Sequence, residues 1–225
     1  MVDLGFCEQI EGLLGVGNYV PELLIILREP HEKDNGENQI FWFKGEVEKK
    51  YCGQKTESAG TRFCNIYTIL ANKILEIEDE FVLHKCAYMN LHPFFGGKTT
   101  GVEFGSVLKQ LEELSLETCA GEPVDIWRNR EASDVAKHRI QIIQRAIDCG
   151  VKNIITTEDI YSVIKKQWKG RDEKTFDLEY KKNNHEPKTF YVCWLGKNKE
   201  TRLISFRHPS YPSISYECMK NMQIP

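Results

Sequence analysis

The feature that most constrains this chain is the run Leu23-Leu24-Ile25-Ile26-Leu27, five apolar residues with no polar interruption. A strand with one wet face alternates polar and apolar residues, so an unbroken run of this length suits a strand buried on both faces. Such strands belong to parallel sheets covered by helices. The run is followed at once by the polar Arg28-Glu29-Pro30-His31-Glu32, so charged groups emerge at its carboxyl end. In open α/β sheets that edge is where ligands bind.

Two further runs share this form. Phe81-Val82-Leu83 with Cys86-Ala87-Tyr88-Met89 predicts a second buried strand, punctuated by Asn90-Leu91-His92-Pro93. Leu203-Ile204-Ser205-Phe206 predicts another, running into Arg207-His208-Pro209-Ser210-Tyr211-Pro212-Ser213. Proline has no N–H and forces the chain out of the ladder, which aims His208 at the rim rather than into the core.

Helical spacing of Phe63, Ile66, Tyr67, Leu70 and Ile74 predicts an amphipathic helix over 61–75. Others are predicted over 107–116, over 133–149 with a stop at Gly150, and over 160–168 after the cap-like Thr157 and the acids Glu158 and Asp159. A short helix is expected within 6–19, broken by Gly15-Val16-Gly17-Asn18. The β-branched Val151, Ile154 and Ile155 predict a strand over 151–156, and Tyr191-Val192-Cys193-Trp194 a further strand or hairpin arm. Residues 31–39 are a loop too polar to pack, 45–60 read as an exposed excursion rich in charge and glycine, and 170–189 as charged and irregular. Strands alternating with helices imply one domain over 1–225, a three-layer α/β/α sandwich with a mostly parallel central sheet. In that arrangement 28–32, 90–93 and 207–213 leave strand ends in the same sense and gather along one rim.

Several chemistries are disfavoured. The eight cysteines are scattered with no C-x-x-C pair to nucleate a zinc or iron–sulfur site; several lie on apolar runs, so buried free thiols are expected rather than disulfides, and no cofactor is implied. Gly96-Gly97-Lys98-Thr99-Thr100-Gly101 lacks the Walker spacing of a phosphate loop. No basic n-region precedes an apolar segment and no stretch of about 18 apolar residues occurs, so a cytoplasmic, unanchored protein is expected. The formal net charge is −3, yet residues 160–220 hold 13 Lys and Arg against 7 Asp and Glu. This basic excess sits beside His208; it suits either a nucleic-acid partner or a solvated lysine-rich face.

A carboxylate, an amide and an imidazole on one rim suit a reaction in which a heterocycle leaves a sugar. The imidazole of His208 can stabilise negative charge developing on the leaving base. The Glu29 carboxylate can orient a water and offset the positive charge of an oxocarbenium-like sugar. Asn90 has both a donor and an acceptor, and so can read the edge of a pyrimidine. The aromatic cluster Ile40-Phe41-Trp42-Phe43 is core or strand material by composition, but its place shortly after a strand-end carboxylate also offers a ring as a stacking surface.

On these residues the chain resembles the uracil-DNA glycosylase superfamily. Arg28-Glu29-Pro30-His31 is similar to that family's first motif, G-Q-D-P-Y-H, in its carboxylate and proline. Tyr88-Met89-Asn90-Leu91-His92-Pro93 resembles the strand that ends in a base-reading asparagine in the single-strand-selective branch. His208-Pro209-Ser210 matches the H-P-S that follows a later strand. The resemblance covers roughly residues 20–217 and implies that fold, with DNA, single-stranded DNA included, as partner. It gives Glu29 the water-activating place, Asn90 the base-reading place and His208 the leaving-group place. It further implies that Phe41 or Trp42 stacks on the base, and that His31 stands where a tyrosine shuts out thymine. Arg207, Ser210, Tyr211, Pro212 and Ser213 would meet DNA, with Tyr211 and Pro212 at the wedge. The implied reaction is metal-free hydrolysis of the N-glycosidic bond of uracil or another altered base.

Two other readings stay open. Glutamate in place of aspartate and the acidic overall charge suit a non-catalytic nucleic-acid or nucleotide-binding protein of the same fold. The low overall basicity also suits an enzyme acting on free nucleosides or nucleotides.

Overall fold

The computed structural model describes residues 14–15, 21–28, 59–92, 103–114, 131–148, 150–178, 188–196, 200–207 and 216–225. Among these residues seven strands form one sheet: β1 (Leu14–Gly15), β2 (Leu23–Leu27), β3 (Cys86–Asn90), β4 (Asn153–Thr156), β5 (Arg171–Leu178), β6 (Lys188–Leu195) and β7 (Thr201–Ser205). Their order across the sheet is β1-β3-β2-β4-β7-β6-β5. The four central strands, β3, β2, β4 and β7, are parallel, whereas β1 at one edge and β6 and β5 at the other pair antiparallel. The sheet is therefore mixed, with its parallel part at the centre and not throughout.

The apolar runs explain that centre. All five residues of β2 are buried, as are all those of β3 and β4, because helices cover both faces. On one face Leu23, Ile25, Tyr88, Ile155 and Ile204 pack with Phe63, Tyr67 and Leu70 of α1 (Ala59–Leu75) and with Cys218 and Met219 of α5 (Tyr216–Asn221). On the other, Leu24, Ile26, Met89, Ile154 and Leu203 pack with α2 (Phe104–Glu113), α3 (Ala132–Asp148) and α4 (Glu158–Gln167). The alternation of β2 side chains between two clusters is the period of two expected of a strand, and the result is three layers.

Four expectations need correction. Val82–Lys85 is a single 3₁₀ turn, and the second strand begins only at Cys86. Leu14–Gly15 is extended and pairs with Ala87 and Tyr88, inside the span expected to be helical. The helix expected over 107–116 begins three residues earlier, at Phe104, whose ring is buried. Arg171–Leu178, expected to be irregular, is an eight-residue edge strand hydrogen-bonded to β6. Its first five residues are exposed, and a charged edge strand is how a sheet blunts an unpaired side. A one-residue bulge after Arg171 places Asp172 at φ 53° and turns Glu173 towards α4.

At the amino end of the sheet one side chain gathers several elements. Arg202, on β7, donates from Nε to Asn153 Oδ1 (2.9 Å), from Nη2 to the Ile74 carbonyl (2.6 Å) and from Nη1 to the Pro225 carbonyl (3.1 Å). It thereby joins β4, the end of α1 and the last residue of the chain. Burial lowers its pKa from the ordinary value, while the Glu76 carboxylate acts in the opposite direction.

Cys64, Cys86, Cys193 and Cys218 are buried free thiols. The other four cysteines lie outside the described residues. No helix among the described residues is long and apolar enough to cross a membrane.

Candidate functional site

The parallel strands end almost level. Leu27 of β2 pairs with Asn90 of β3, Ile26 with Thr156 of β4, and Thr156 with Ser205 of β7. Beyond the last pairs the ladder runs on by single bonds: Leu91 N–H to the Leu27 carbonyl, His92 N–H to the Arg28 carbonyl and Phe206 N–H to the Thr156 carbonyl, each 2.7 Å. The carboxyl ends of all four strands therefore form one rim. Neighbouring strands lie about 4.8 Å apart, so the end of β2 is about 5 Å from that of β3 and about 10 Å from that of β7.

Asn90 sits in this rim with its side chain on the α1 face, two residues after Tyr88 and so on the same side of the strand. The Tyr88 hydroxyl donates to Asn90 Oδ1 over 2.7 Å. Burial raises the Tyr88 phenol well above its ordinary pKa, outweighing the opposing effect of the Asn90 hydrogen bond, so the hydroxyl stays a neutral donor. One lone pair of Oδ1 is thus occupied, and the amide is fixed with its nitrogen turned away from the phenol. Asn90 keeps 8% of its surface exposed. An amide so oriented offers Nδ2–H as donor beside the second lone pair of Oδ1 as acceptor.

The other face of the rim is arranged around Arg28. Its guanidinium lies 4.2 Å from the centre of the Phe104 ring, at the start of α2, and 3.7 Å from the Asp159 carboxylate, in the first turn of α4. Between the ends of β2 and β7 stand Thr156, whose buried Oγ1 has no hydrogen-bond partner among the described residues, and Thr157, which caps α4 and donates from Oγ1 to Asp159 Oδ1 (2.5 Å). No three His, Cys, Asp or Glu side chains among the described residues are grouped so as to hold a metal ion.

Of the residues the sequence singled out, Asn90 and Arg207 are described. Asn90 closes β3, and the half-buried Arg207 follows Phe206, just past the end of β7. Glu29, His31, Phe41, Trp42, His208, Ser210, Tyr211, Pro212 and Ser213 lie outside the described residues. In sequence Glu29 is one residue past Arg28 and His208 one past Arg207. Arg28, expected at the rim as the first residue of 28–32, is found there; Tyr88 and Asp159 were missed as parts of it. Only Tyr88 had a signal: its place two residues before Asn90 puts both side chains on one face of any strand.

Compared with protein-family models, with curated proteins and with solved structures, the chain matches none.

Proposed function

We propose that this chain is a cytoplasmic, monofunctional DNA glycosylase of the uracil-DNA glycosylase kind. It hydrolyses the N-glycosidic bond of uracil or another altered base in DNA. The observation that carries the reading is the level ending of β3, β2 and β7 at one rim, with the Asn90 amide held there by Tyr88. Those strands lead directly into the three sequence segments that resemble the family.

Uracil presents an N3–H donor beside the O4 acceptor, which complements an amide offering an oxygen lone pair beside an N–H. Cytosine presents an amino donor and an N3 acceptor, the reverse pattern. An asparagine free to rotate its amide would accept both. Fixing Oδ1 by the Tyr88 hydroxyl therefore lets the amide read one base and not the other, because the flipped amide would forfeit that hydrogen bond; in this reading the base is uracil. In this reading Glu29 directs a water at the anomeric carbon and offsets its positive charge, and His208 stabilises the departing uracil anion. Arg207, Ser210, Tyr211, Pro212 and Ser213 hold the DNA while the nucleotide is out of the stack.

The test is incubation in EDTA with single- and double-stranded oligonucleotides containing one uracil, followed by alkali to cleave abasic sites. Scission at the uracil is expected, with its loss in Glu29→Gln and in His208→Ala. Binding without scission would favour the non-catalytic reading, which the glutamate in place of aspartate supports. Base release from mononucleosides alone would favour a nucleoside hydrolase.

A further inference from the structure

A cleft of about 650 Å³ lies between α4 and the β5–β6 hairpin, away from Asn90. Tyr191 and Glu158 stand at its upper end, and Lys169 and Gly170 at its lower. The Tyr191 N–H bonds to Oγ of Ser205, the last residue of β7, so this upper end is level with the rim. From there the cleft follows α4 for about 16 Å, at 1.5 Å per residue from Glu158 to Lys169. It is a groove leading out of the rim, not a second enclosed pocket.

Its charges are unequal in kind. The two carboxylates in its wall are each taken up. Glu158 faces Lys188 at 2.5 Å, and Glu173 is 2.5 Å from Lys165 while accepting the Tyr161 hydroxyl at 2.8 Å. Burial alone would raise the Glu173 pKa, but the hydrogen bonds from Lys165 and Tyr161 outweigh it and keep the carboxyl below its ordinary value. Lys166 and Lys169 line the same cleft, are exposed and have no acidic partner among the described residues. Positive charge is therefore in excess where the groove is open to solvent.

Two local features fit a ligand role. Lys169 follows the end of α4 at φ +51°, a left-handed conformation that glycine or asparagine adopts at lower cost. The conformation is that of a Schellman cap, with the Lys169 N–H on the Lys166 carbonyl (3.3 Å) and the Gly170 N–H on the Lys165 carbonyl (2.8 Å), and it places a lysine where the helix has ended. Tyr191, 38% exposed, stands with its ring 6.0 Å from that of Tyr161 and presents an aromatic face at the upper end of the groove these cations line. Cations spaced along a groove beside an exposed aromatic ring suit a strand of nucleotides, phosphates on the lysines and a base on the ring.

We propose that this cleft binds the single-stranded DNA flanking the target nucleotide, with Lys166 and Lys169 on phosphates and Tyr191 stacked on a base. This rests on the glycosylase reading of the rim for the identity of the strand. The substitutions to compare are Lys166→Glu with Lys169→Glu, and Tyr191→Ala alone. The probe is a fluorescent oligothymidylate without uracil, titrated by anisotropy across a series of salt concentrations.

Loss of two phosphate contacts should weaken binding at low salt by on the order of tenfold or more. It should also flatten the slope of log K against log salt by about 1.4, since each contact on a single strand contributes about 0.7. Tyr191→Ala should weaken binding about tenfold with the slope unchanged, because stacking releases no counterions. Wild-type affinity and slope in both variants would overturn the proposal. So would equal binding of polyglutamate, which would make the cleft a site for acidic chains. The probe has no base to excise, so the two readings fail separately. Altered binding in a protein that never releases uracil would sink the glycosylase and spare the cleft. Excision with unaltered binding in the variants would do the opposite.

Discussion

The Tyr88 hydroxyl donates to Asn90 Oδ1 across 2.7 Å, from the same face of β3. Replacing Tyr88 by phenylalanine keeps the buried ring and removes only the hydroxyl. Single-turnover excision of uracil by Tyr88→Phe is expected to fall about tenfold, the effect of one hydrogen bond of roughly 1.4 kcal/mol. Asn90→Ala should lose more, since both base-facing groups go. Binding of a cytosine nucleotide relative to uracil, measured by competition, should rise in Tyr88→Phe, because the amide is then free to turn over. An unchanged ratio would separate Tyr88 from base selection.

Arg202 predicts a stability effect independent of any activity. Arg202→Met retains much of the side-chain packing but leaves the Ile74 carbonyl, the Asn153 amide and the Pro225 carbonyl without their donor. A loss of about 2–3 kcal/mol is expected, or roughly 4–12 °C in melting temperature for a chain of this size. A calorimetric melt checks it; a shift below 1 °C would show that the three bonds are replaced by water.

His138 predicts the acid limb of the stability curve. Burial first, and the neighbouring Arg139 charge second, lower its pKa from 6.5 to about 3. The unfolded chain binds a proton there between these values and the folded one does not. Stability is therefore full above about pH 6.5 and falls with decreasing pH towards about 3, by at most about 1.4 kcal/mol per pH unit from this group. Denaturant melts at pH 7, 5.5 and 4.5 should show this slope, and His138→Gln should flatten it.

Gly170 tests the packing beneath the lysine-lined cleft. A methyl group at this position would come within 2.6 Å of Cys193 Sγ and 3.0 Å of Lys165 Cγ. Gly170→Ala should cost about 1–3 kcal/mol. Adding Cys193→Ala should recover part of the loss, a coupling that a double-mutant cycle in urea would measure.

The central sheet was legible because burial on both faces leaves a signature that little else does. Leu23–Leu27 is such a run, and its limits in the fold are those of the sequence. The edges were not legible. Arg171–Leu178 carries charge on most of its length, and its pairing with β6 is decided by partners that local composition does not reveal. Val82–Leu83 failed for the opposite reason: two buried apolar residues suit a strand or a tight turn equally, and here the turn delivers the chain into Cys86. At the rim, the Asn90 punctuation was readable, but the pairing of Arg28 with Asp159 joins residues 131 positions apart and has no local trace.

The most direct measurement is the identity of the small product. Wild-type protein and Glu29→Gln would each be incubated with a uracil-containing oligonucleotide, and the low-mass fraction analysed by mass spectrometry. Base excision predicts free uracil, accumulating with wild-type protein in proportion to abasic sites and absent with Glu29→Gln. Intact oligonucleotide and no free uracil from wild-type protein, under conditions where it is folded and binds the strand, would contradict the account.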